Sequence, residues 1–113
     1  MHRIVGKVKV ESDGSAAFRV PANTPLAVQP LDEDGRSLQI MRSWYTAMPG
    51  EVLSCVGCHE SQNTSPPAKP TLAMERAPSQ ITPWYGPARP FSFKREVQPV
   101  LDKHCVGCHD GKH

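Results

Sequence analysis

Two copies of one five-residue string contain the residues of this chain that indicate a definite chemistry. They are Cys55-Val56-Gly57-Cys58-His59 and Cys105-Val106-Gly107-Cys108-His109, and they hold all four cysteines of the 113 residues. The C-x-x-C-H spacing is the attachment signature of c-type haem. We expect the two sulfurs of each string to form thioethers with one haem. The sequence therefore predicts two c-type haems, and hence iron redox chemistry.

The histidine that ends each string is the expected proximal ligand of one haem iron. His59 would serve the first haem and His109 the second. The residues expected to attach the haems covalently are Cys55, Cys58, Cys105 and Cys108.

Other uses of paired cysteines explain the pattern less well. One tetrahedral zinc ion could take two C-x-x-C pairs, but a zinc ribbon needs no histidine after either pair. The gap of about 46 residues between the pairs is also long for a zinc knuckle. A dithiol redox motif calls for a thioredoxin-like βαβ pattern, which this sequence does not contain. An even number of cysteines also allows two disulfides, but these leave the repeated histidine unexplained.

Composition favours a domain whose interior comes partly from a cofactor. Hydrophobic residues make up 38% and aromatic residues 6% of the chain, which is little for a self-sufficient core. A covalently bound haem buries a large apolar surface, so we expect the chain without haem to be largely disordered. The net charge of +2 supports neither nucleic-acid binding nor a strong membrane-surface role. No apolar run approaches the length of a transmembrane segment.

The first residues do not resemble a secretory signal, because Met1-His2-Arg3-Ile4-Val5-Gly6-Lys7 lacks an apolar region and a small-residue cleavage site. Haem of the c type is nevertheless attached outside the cytoplasm. We therefore expect a periplasmic or otherwise exported segment of a larger protein, with its signal peptide outside this segment.

The fold class that we predict is small α+β, as a single di-haem domain over residues 1–113. Residues 3–46 alternate in polarity as strands do, with turn signals at residues 12–15 and 32–36. This β-rich lead-in predicts two hairpins in a small antiparallel sheet. Short helices and irregular loops would follow, wrapped around two covalently bound haems.

The rest of the predicted domain has three parts. Residues 49–60 carry the first haem motif. Residues 61–92 contain seven of the 12 prolines, which exclude a long helix or an inner strand. We expect this segment to be an ordered Pro-rich strap over the haems, because it is too apolar for a solvated tether. Residues 93–113 are expected to form a cytochrome c-like helix and the second haem motif.

The helix of the last part has a recognisable sequence signature. Its apolar residues recur at helical spacing, at Phe93, Val97, Val100 and Leu101. Ser92 is the predicted cap, with Glu96 near the capping-box position. Pro99 should kink the helix or restart it.

A longer set of residues carries a family resemblance. The stretch 93–109 resembles the helix that leads into the haem motif of a cytochrome c domain. The other matching residues are Asp13-Gly14-Ser15-Ala16-Ala17-Phe18, Val20-Pro21-Ala22, Leu31-Asp32-Glu33, Met41-Arg42-Ser43-Trp44, Pro49-Gly50-Glu51 and His59-Glu60. Together they resemble the di-haem region of hydrazine synthase alpha subunits and related large exported cytochromes. The resemblance covers nearly the whole chain and implies a β-rich lead-in, two c-type haems and a larger parent protein.

The resemblance also bears on the chemistry. In the synthase, the haem proposed to be catalytic has a tyrosine near its iron, four residues after the motif histidine. The corresponding residue here is Asn63. This departure favours a plain redox role over the synthase reaction.

The distal side of each iron decides between electron transfer and catalysis. An iron with two protein ligands has no room for a substrate, whereas an open iron binds small ligands. The histidines outside the motifs are His2, His104 and His113, and Met41, Met48 and Met74 are further candidates. We predict that His104 caps the first haem. We predict that His2 caps the second, as the resemblance suggests.

The predicted function is transfer of electrons between redox partners through two closely spaced, six-coordinate haems. We expect the partners to be redox proteins or other domains of the parent chain. On this interpretation the chain is an electron-transfer module rather than an enzyme, and no residue is assigned a catalytic role. Two alternatives remain open: a haem redox enzyme with one open iron, either peroxidase-like or acting on small nitrogen compounds, and a gas or redox sensor.

Overall fold

The structure is a computed structural model that describes residues 2–57, 63 and 69–111. The chain divides into two units. One combines Met1–Lys9 with Gln80–His113, and the other is Val10–Ser79. The first motif belongs to Val10–Ser79 and the second to the unit made of the two chain ends. The single di-haem domain stays a prediction, but each motif has its own structural surroundings.

Strand pairing in the described residues consists of isolated bridges. Antiparallel bridges join Arg3 to Pro90, Lys7 to Thr82, Leu26 to Tyr45 and Leu31 to Ser37, and a parallel bridge joins Phe18 to Ser79. The predicted sheet of two hairpins is therefore not confirmed. The physical reason is the chain's 12 prolines, because proline offers no N–H to a strand ladder and interrupts regular pairing.

Both predicted turns of the lead-in lie where the sequence places them. At the first, the N–H of Glu11 donates to Ser15 at 2.8 Å. At the second, the N–H of Asp32 donates to Arg36 at 2.9 Å. The segments around the first turn do not pair with each other as predicted. The residues before it pair with residues 82–90 instead, and those after it pair with Ser79.

A 3₁₀ helix at Leu72–Glu75 is held by side chains from the first turn. Its first backbone N–H groups have no partner within the helix. Asp13 Oδ2 accepts from Leu72 N–H at 2.9 Å, and Ser15 Oγ accepts from Ala73 N–H at 3.1 Å. Arg76 donates to Glu11 at 2.7 Å just after the helix. The middle of the Pro-rich segment is thus fastened to residues 11–15. Its predicted path over the haems stays a prediction.

In the other unit, the start of the chain pairs with residues 82–91. Lys7 and Thr82 exchange two backbone hydrogen bonds of 2.8 and 2.9 Å. Gly6, at φ +152°, lies against the Thr82 carbonyl and the Ile81 side chain so closely that a Cβ would overlap both. The pairing therefore requires glycine at this position. Further along, the N–H of Phe91 donates to the carbonyl of His2 at 2.8 Å.

Helical structure precedes the second motif. A π-helix covers Phe93–Val97, and helix α1 covers Gln98–His104. Pro99 is the second residue of α1, where its missing N–H costs no hydrogen bond. Its ring conflicts with the carbonyl four residues earlier, so the preceding turn widens and a new helix begins. The predicted restart at Pro99 is confirmed.

The predicted capping box is wrong. The Ser92 side chain makes no capping hydrogen bond. Glu96 instead accepts hydrogen bonds from Arg89 and Arg95, which hold its carboxylate away from the helix start. An ion pair with two arginines outcompetes one neutral backbone N–H.

Large side chains are mostly accessible in the part of the chain that the structure describes. Its buried hydrophobic residues are Ala47 and Ala73, with 6% and 2% of their surface exposed. The exposed large residues include Ile40, Trp44, Val52, Met74, Tyr85 and Phe93. Over the same residues, no helix has the length and apolar character needed to cross a bilayer.

Candidate functional site

The second motif forms one helical turn at the end of α1. The N–H of Cys105 donates to Leu101 at 2.8 Å, which continues the helix into the motif. The N–H groups of Cys108 and His109 both donate to Cys105, at 3.1 and 2.9 Å. Residues at positions i, i+3 and i+4 of a helical turn share one face. The turn therefore brings two thiols and one imidazole to the same side of the backbone.

The surroundings of this turn fit a covalently attached haem. The thiols of Cys105 and Cys108 are free and exposed, as vinyl addition requires. Val100 and Val106, on either side of Cys105, are exposed by 54% and 41%. Accessible sulfurs beside accessible apolar side chains suit a large apolar ring fixed through thioethers. The donor set of two sulfurs and one following imidazole also matches this group.

A tight turn leads into the first motif. The N–H of Glu51 donates to the carbonyl of Met48 at 3.1 Å, and its carboxylate accepts from the Met48 N–H at 2.7 Å. Pro49 and Gly50, with Gly50 at φ +77°, are the central pair that a type II turn prefers. Cys55 follows four residues later as a free, exposed thiol.

The first motif is only partly described. Val56 follows Cys55 as Val106 follows Cys105, and Val52 and Val56 are exposed by 91% and 54%. The predicted roles of Cys58 and His59 lie outside the described residues.

Tyr45 is a neighbour of the first motif that the spacing of residues does not reveal. Burial raises its pKa above 10.0, and the nearby Cys55 raises it further. The residue is fixed by two backbone hydrogen bonds of 2.9 Å with Leu26. Its phenol is therefore protonated and close to a thiol expected to hold haem. The spacing of residues in the sequence carries no signal for this electrostatic effect.

The two predicted distal ligands both lie in the unit of the second motif. His2 is exposed, and its backbone is tied to Phe91 two residues before the π-helix. His104 is the last residue of α1 and directly precedes Cys105. The unit thus contains His2 together with the motif that it is predicted to serve. Both ligand assignments stay predictions, and His113 lies outside the described residues.

A pair of arginines meets one carboxylate at the start of the same helical segment. Glu96 Oε1 accepts from Arg95 Nε at 2.7 Å and from Arg89 at 3.1 Å. The hydrogen bond from Arg95 and that from Arg89 lower the pKa of Glu96, which stays ionised. Arg95 also donates to the Pro90 carbonyl at 2.9 Å. The spacing of residues in the sequence gives no sign of this pairing.

Among residues 2–57, 63 and 69–111, no three His, Cys, Asp or Glu side chains are grouped as a metal ion would require. A haem needs no such group, since the protein contacts the iron only along one axis.

The sequence is similar to one protein family and to one characterised protein. The family model described as "Hydrazine synthase alpha subunit middle domain" matches residues 1–60, which is more than half of the chain. Hydrazine synthase subunit alpha of Kuenenia stuttgartiensis is 26% identical over an alignment of 160 positions. That alignment covers 95% of this chain and 20% of the relative, so the chain spans about a fifth of the relative's length. No solved structure matches the chain.

Proposed function

Because this chain belongs to the hydrazine synthase alpha subunit middle domain family, we propose that it is a di-haem c-type cytochrome module of a larger exported protein. In this proposal two haems pass electrons between redox partners. The observation that carries it is the helical turn from Cys105 to His109, with its free, exposed thiols. The same five residues recur at the first motif, where Cys55 is also free and exposed.

The protein's own residues would hold the second haem in three ways. Cys105 and Cys108 anchor it through thioethers, and the helical turn fixes the spacing between the two sulfurs. His109, one residue later on the same turn, offers a ring nitrogen to the iron. Backbone hydrogen bonds to Cys105 and Leu101 hold this turn directly after α1, so the helix end fixes where the ligand's side chain begins.

His2 is the proposed distal ligand of the second haem. It belongs to the same unit as His109, and the Phe91 N–H holds its carbonyl at 2.8 Å. Gly6 permits the close pairing that keeps this segment against residues 82–91. Two histidine ligands would close the iron to substrates and would lower its potential relative to a His/Met pair. His104 is the corresponding proposal for the first haem.

Haem iron supplies the redox chemistry by alternating between its ferric and ferrous states. The protein's task is then to fix the ligands and exclude small molecules, which requires no general acid or base. Asn63 agrees with this role, because a tyrosine near the iron is the synthase feature that the resemblance led us to expect there.

A second candidate function follows from the relative that the chain matches. That protein is named as a subunit of hydrazine synthase, which suggests chemistry on small nitrogen compounds. In this alternative one iron lacks a distal protein ligand and binds substrate. The chain spans only a fifth of the relative, so the larger protein would supply the remaining residues of such a site.

One experiment separates these functions. The full chain is produced with a haem-attachment system, and its spectrum is recorded oxidised, reduced, and reduced with carbon monoxide. Electron transfer predicts two low-spin haems and no carbon monoxide binding. Rapid binding to one haem would support the enzyme instead. Absence of a Soret band would overturn both proposals.

A further inference from the structure

The two units carry opposite charge. The unit of the second motif, Met1–Lys9 with Gln80–His113, has eight lysine and arginine residues and three acidic residues, a formal charge of +5. The unit of the first motif, Val10–Ser79, has five basic and eight acidic residues, a formal charge of −3. The modest total of +2 therefore conceals a strong asymmetry.

The positive charge of the second unit is concentrated by its backbone pairing. An antiparallel bridge pairs Arg3 with Pro90, and Pro90 directly follows Arg89 in the chain. Arg95 reaches the same point, because its guanidinium donates to the Pro90 carbonyl at 2.9 Å. Arg3 and Arg95 thus both adjoin Pro90, the residue after Arg89, and each of the three arginines is exposed.

Only one carboxylate is seen to balance them within the described contacts. Glu96 accepts from both Arg89 and Arg95, through Oε1 at 3.1 and 2.7 Å. Both of its oxygens are occupied, since Oε2 accepts from Arg89 at 3.3 Å. The three arginines therefore keep a net charge of +2. Lys7 and Lys94 add two exposed charges nearby in the chain. We call Arg3, Lys7, Arg89, Lys94 and Arg95 the basic surface.

We infer that the basic surface is a docking site for an acidic redox protein that exchanges electrons with the unit of the second motif. This inference rests on the proposed electron-transfer function. Concentrated charge of one sign steers an oppositely charged protein and raises its association rate. A redox module must come close to the redox centre with which it exchanges electrons. A protein partner supplies such a centre and an anionic bilayer does not, which favours the protein as the occupant.

The test uses the full chain with its haems attached and a plant-type [2Fe–2S] ferredoxin as the acidic probe. Binding is measured by calorimetry at about 0.01 M ionic strength, where charges interact over about 30 Å. The variant Arg3→Glu/Lys94→Glu reverses two charges of the basic surface and spares the Arg89–Glu96–Arg95 contacts. We expect it to weaken binding at least about tenfold.

The matched control is Arg19→Glu/Lys69→Glu, which makes the same change in net charge on exposed residues of the other unit. We expect it to change the affinity by less than about twofold, because surface charges act locally in salt. Soret spectra and melting temperatures establish that both variants are folded. Equal weakening by the two variants would mean that only net charge matters and would overturn the inference. No binding of ferredoxin, or binding insensitive to both variants, would also overturn it.

Three further measurements complete the test. Raising the ionic strength to about 0.15 M shortens the screening length to about 8 Å and should abolish most of the wild-type binding.

Electron exchange with reduced ferredoxin is followed separately by stopped flow. Binding without electron exchange would contradict the proposed function, whereas rapid exchange without dependence on salt or on Arg3 and Lys94 would contradict the docking surface alone. Capture by vesicles containing anionic lipid, without ferredoxin binding, would replace the protein partner by a membrane.

Discussion

The carboxylate of Asp13 accepts a hydrogen bond from the backbone N–H of Leu72 at 2.9 Å, across 59 residues of chain. The Ser15 hydroxyl donates to the same carboxylate at 2.6 Å. Together these bonds, with the Ser15 hydroxyl contributing most, lower the pKa of Asp13 from 3.8 to about 2. The segment closed by this contact contains the whole of the first haem motif. One exposed acid therefore closes the loop that carries two predicted haem attachment points.

The first prediction is an acid-dependent stability that requires Asp13. Its pKa is lower in the folded chain than the ordinary value of 3.8, so its contribution is fully present above that pH. It is lost as the pH falls through about 2. Asp13→Asn should lower the melting temperature at neutral pH and flatten its fall below pH 4. Thermal melts of the haem-loaded chain across this range measure both effects.

The control for this experiment is Asp34→Asn. Asp34 forms an exposed ion pair with Arg36 at 2.8 Å, with its side chain 59% accessible. Such pairs contribute little to stability, so the melting temperature should hardly change. A pH profile of Asp13→Asn that parallels the wild type would show that the contact to Leu72 does not stabilise the fold.

The second prediction concerns Gly6. Alanine there would need φ +152° and would overlap the Thr82 carbonyl and the Ile81 side chain. Gly35→Ala is the matched control, because Gly35 also has positive φ, at +79°, but has open space around its Cα. We expect Gly6→Ala to destabilise the chain more than Gly35→Ala by about 1–3 kcal/mol, the cost of overpacking. Urea unfolding followed by far-UV circular dichroism measures the difference. Equal destabilisation by the two variants would mean that the backbone around Gly6 can move away from Thr82 without loss of stability.

The third prediction assigns the distal ligands. His2→Ala should convert the second haem from low to high spin, because removal of one axial nitrogen leaves the iron five-coordinate or water-bound. His104→Ala should do the same for the first haem. Electron paramagnetic resonance and the visible spectrum report the change. Unaltered spectra in both variants would show that other residues cap the irons, and the methionines would then be tested in the same way.

The fourth prediction counts the haems. Cys105→Ala/Cys108→Ala should lower the intact mass by one haem, beyond the change in the polypeptide. Cys55→Ala/Cys58→Ala should lose the other haem independently, because the motifs lie in different units. Mass spectrometry under denaturing conditions retains only covalently attached groups. A wild-type mass equal to that of the bare polypeptide would contradict thioether attachment.

Local signals in the sequence predicted the turns and the helix well. The turns at residues 12–15 and 32–36 and the restart at Pro99 follow from backbone preferences that few residues determine. The family resemblance was equally accessible from sequence, and the matching family model confirms it. Within the site, the motif residues were predictable from the sequence, and the structure adds that Cys105, Cys108 and His109 share one helical turn.

Long-range pairing could not be predicted from the same signals. An alternating pattern says which side chains share a face, but it does not choose the partner strand. The segment 3–7 therefore pairs with residues 82–90, not with the strand that follows the first turn. Glu96 lies near a capping-box position in the sequence but binds Arg89, seven residues earlier and outside the helix. Similarly, no spacing in the sequence points to the electrostatic effect of Cys55 on the pKa of Tyr45.

The division of the chain also sets an order of assembly. Val10–Ser79 is continuous, so it has all its residues as soon as position 79 has emerged from a ribosome or an export channel. The other unit is interrupted: Met1–Lys9 must wait unpaired for Gln80–His113. If haem is attached as proposed, an enzyme that works along the emerging polypeptide would reach the first Cys-Val-Gly-Cys-His once all residues of its unit are present. The same enzyme would reach the second motif while Met1–Lys9 and Gln80–His113 are still pairing.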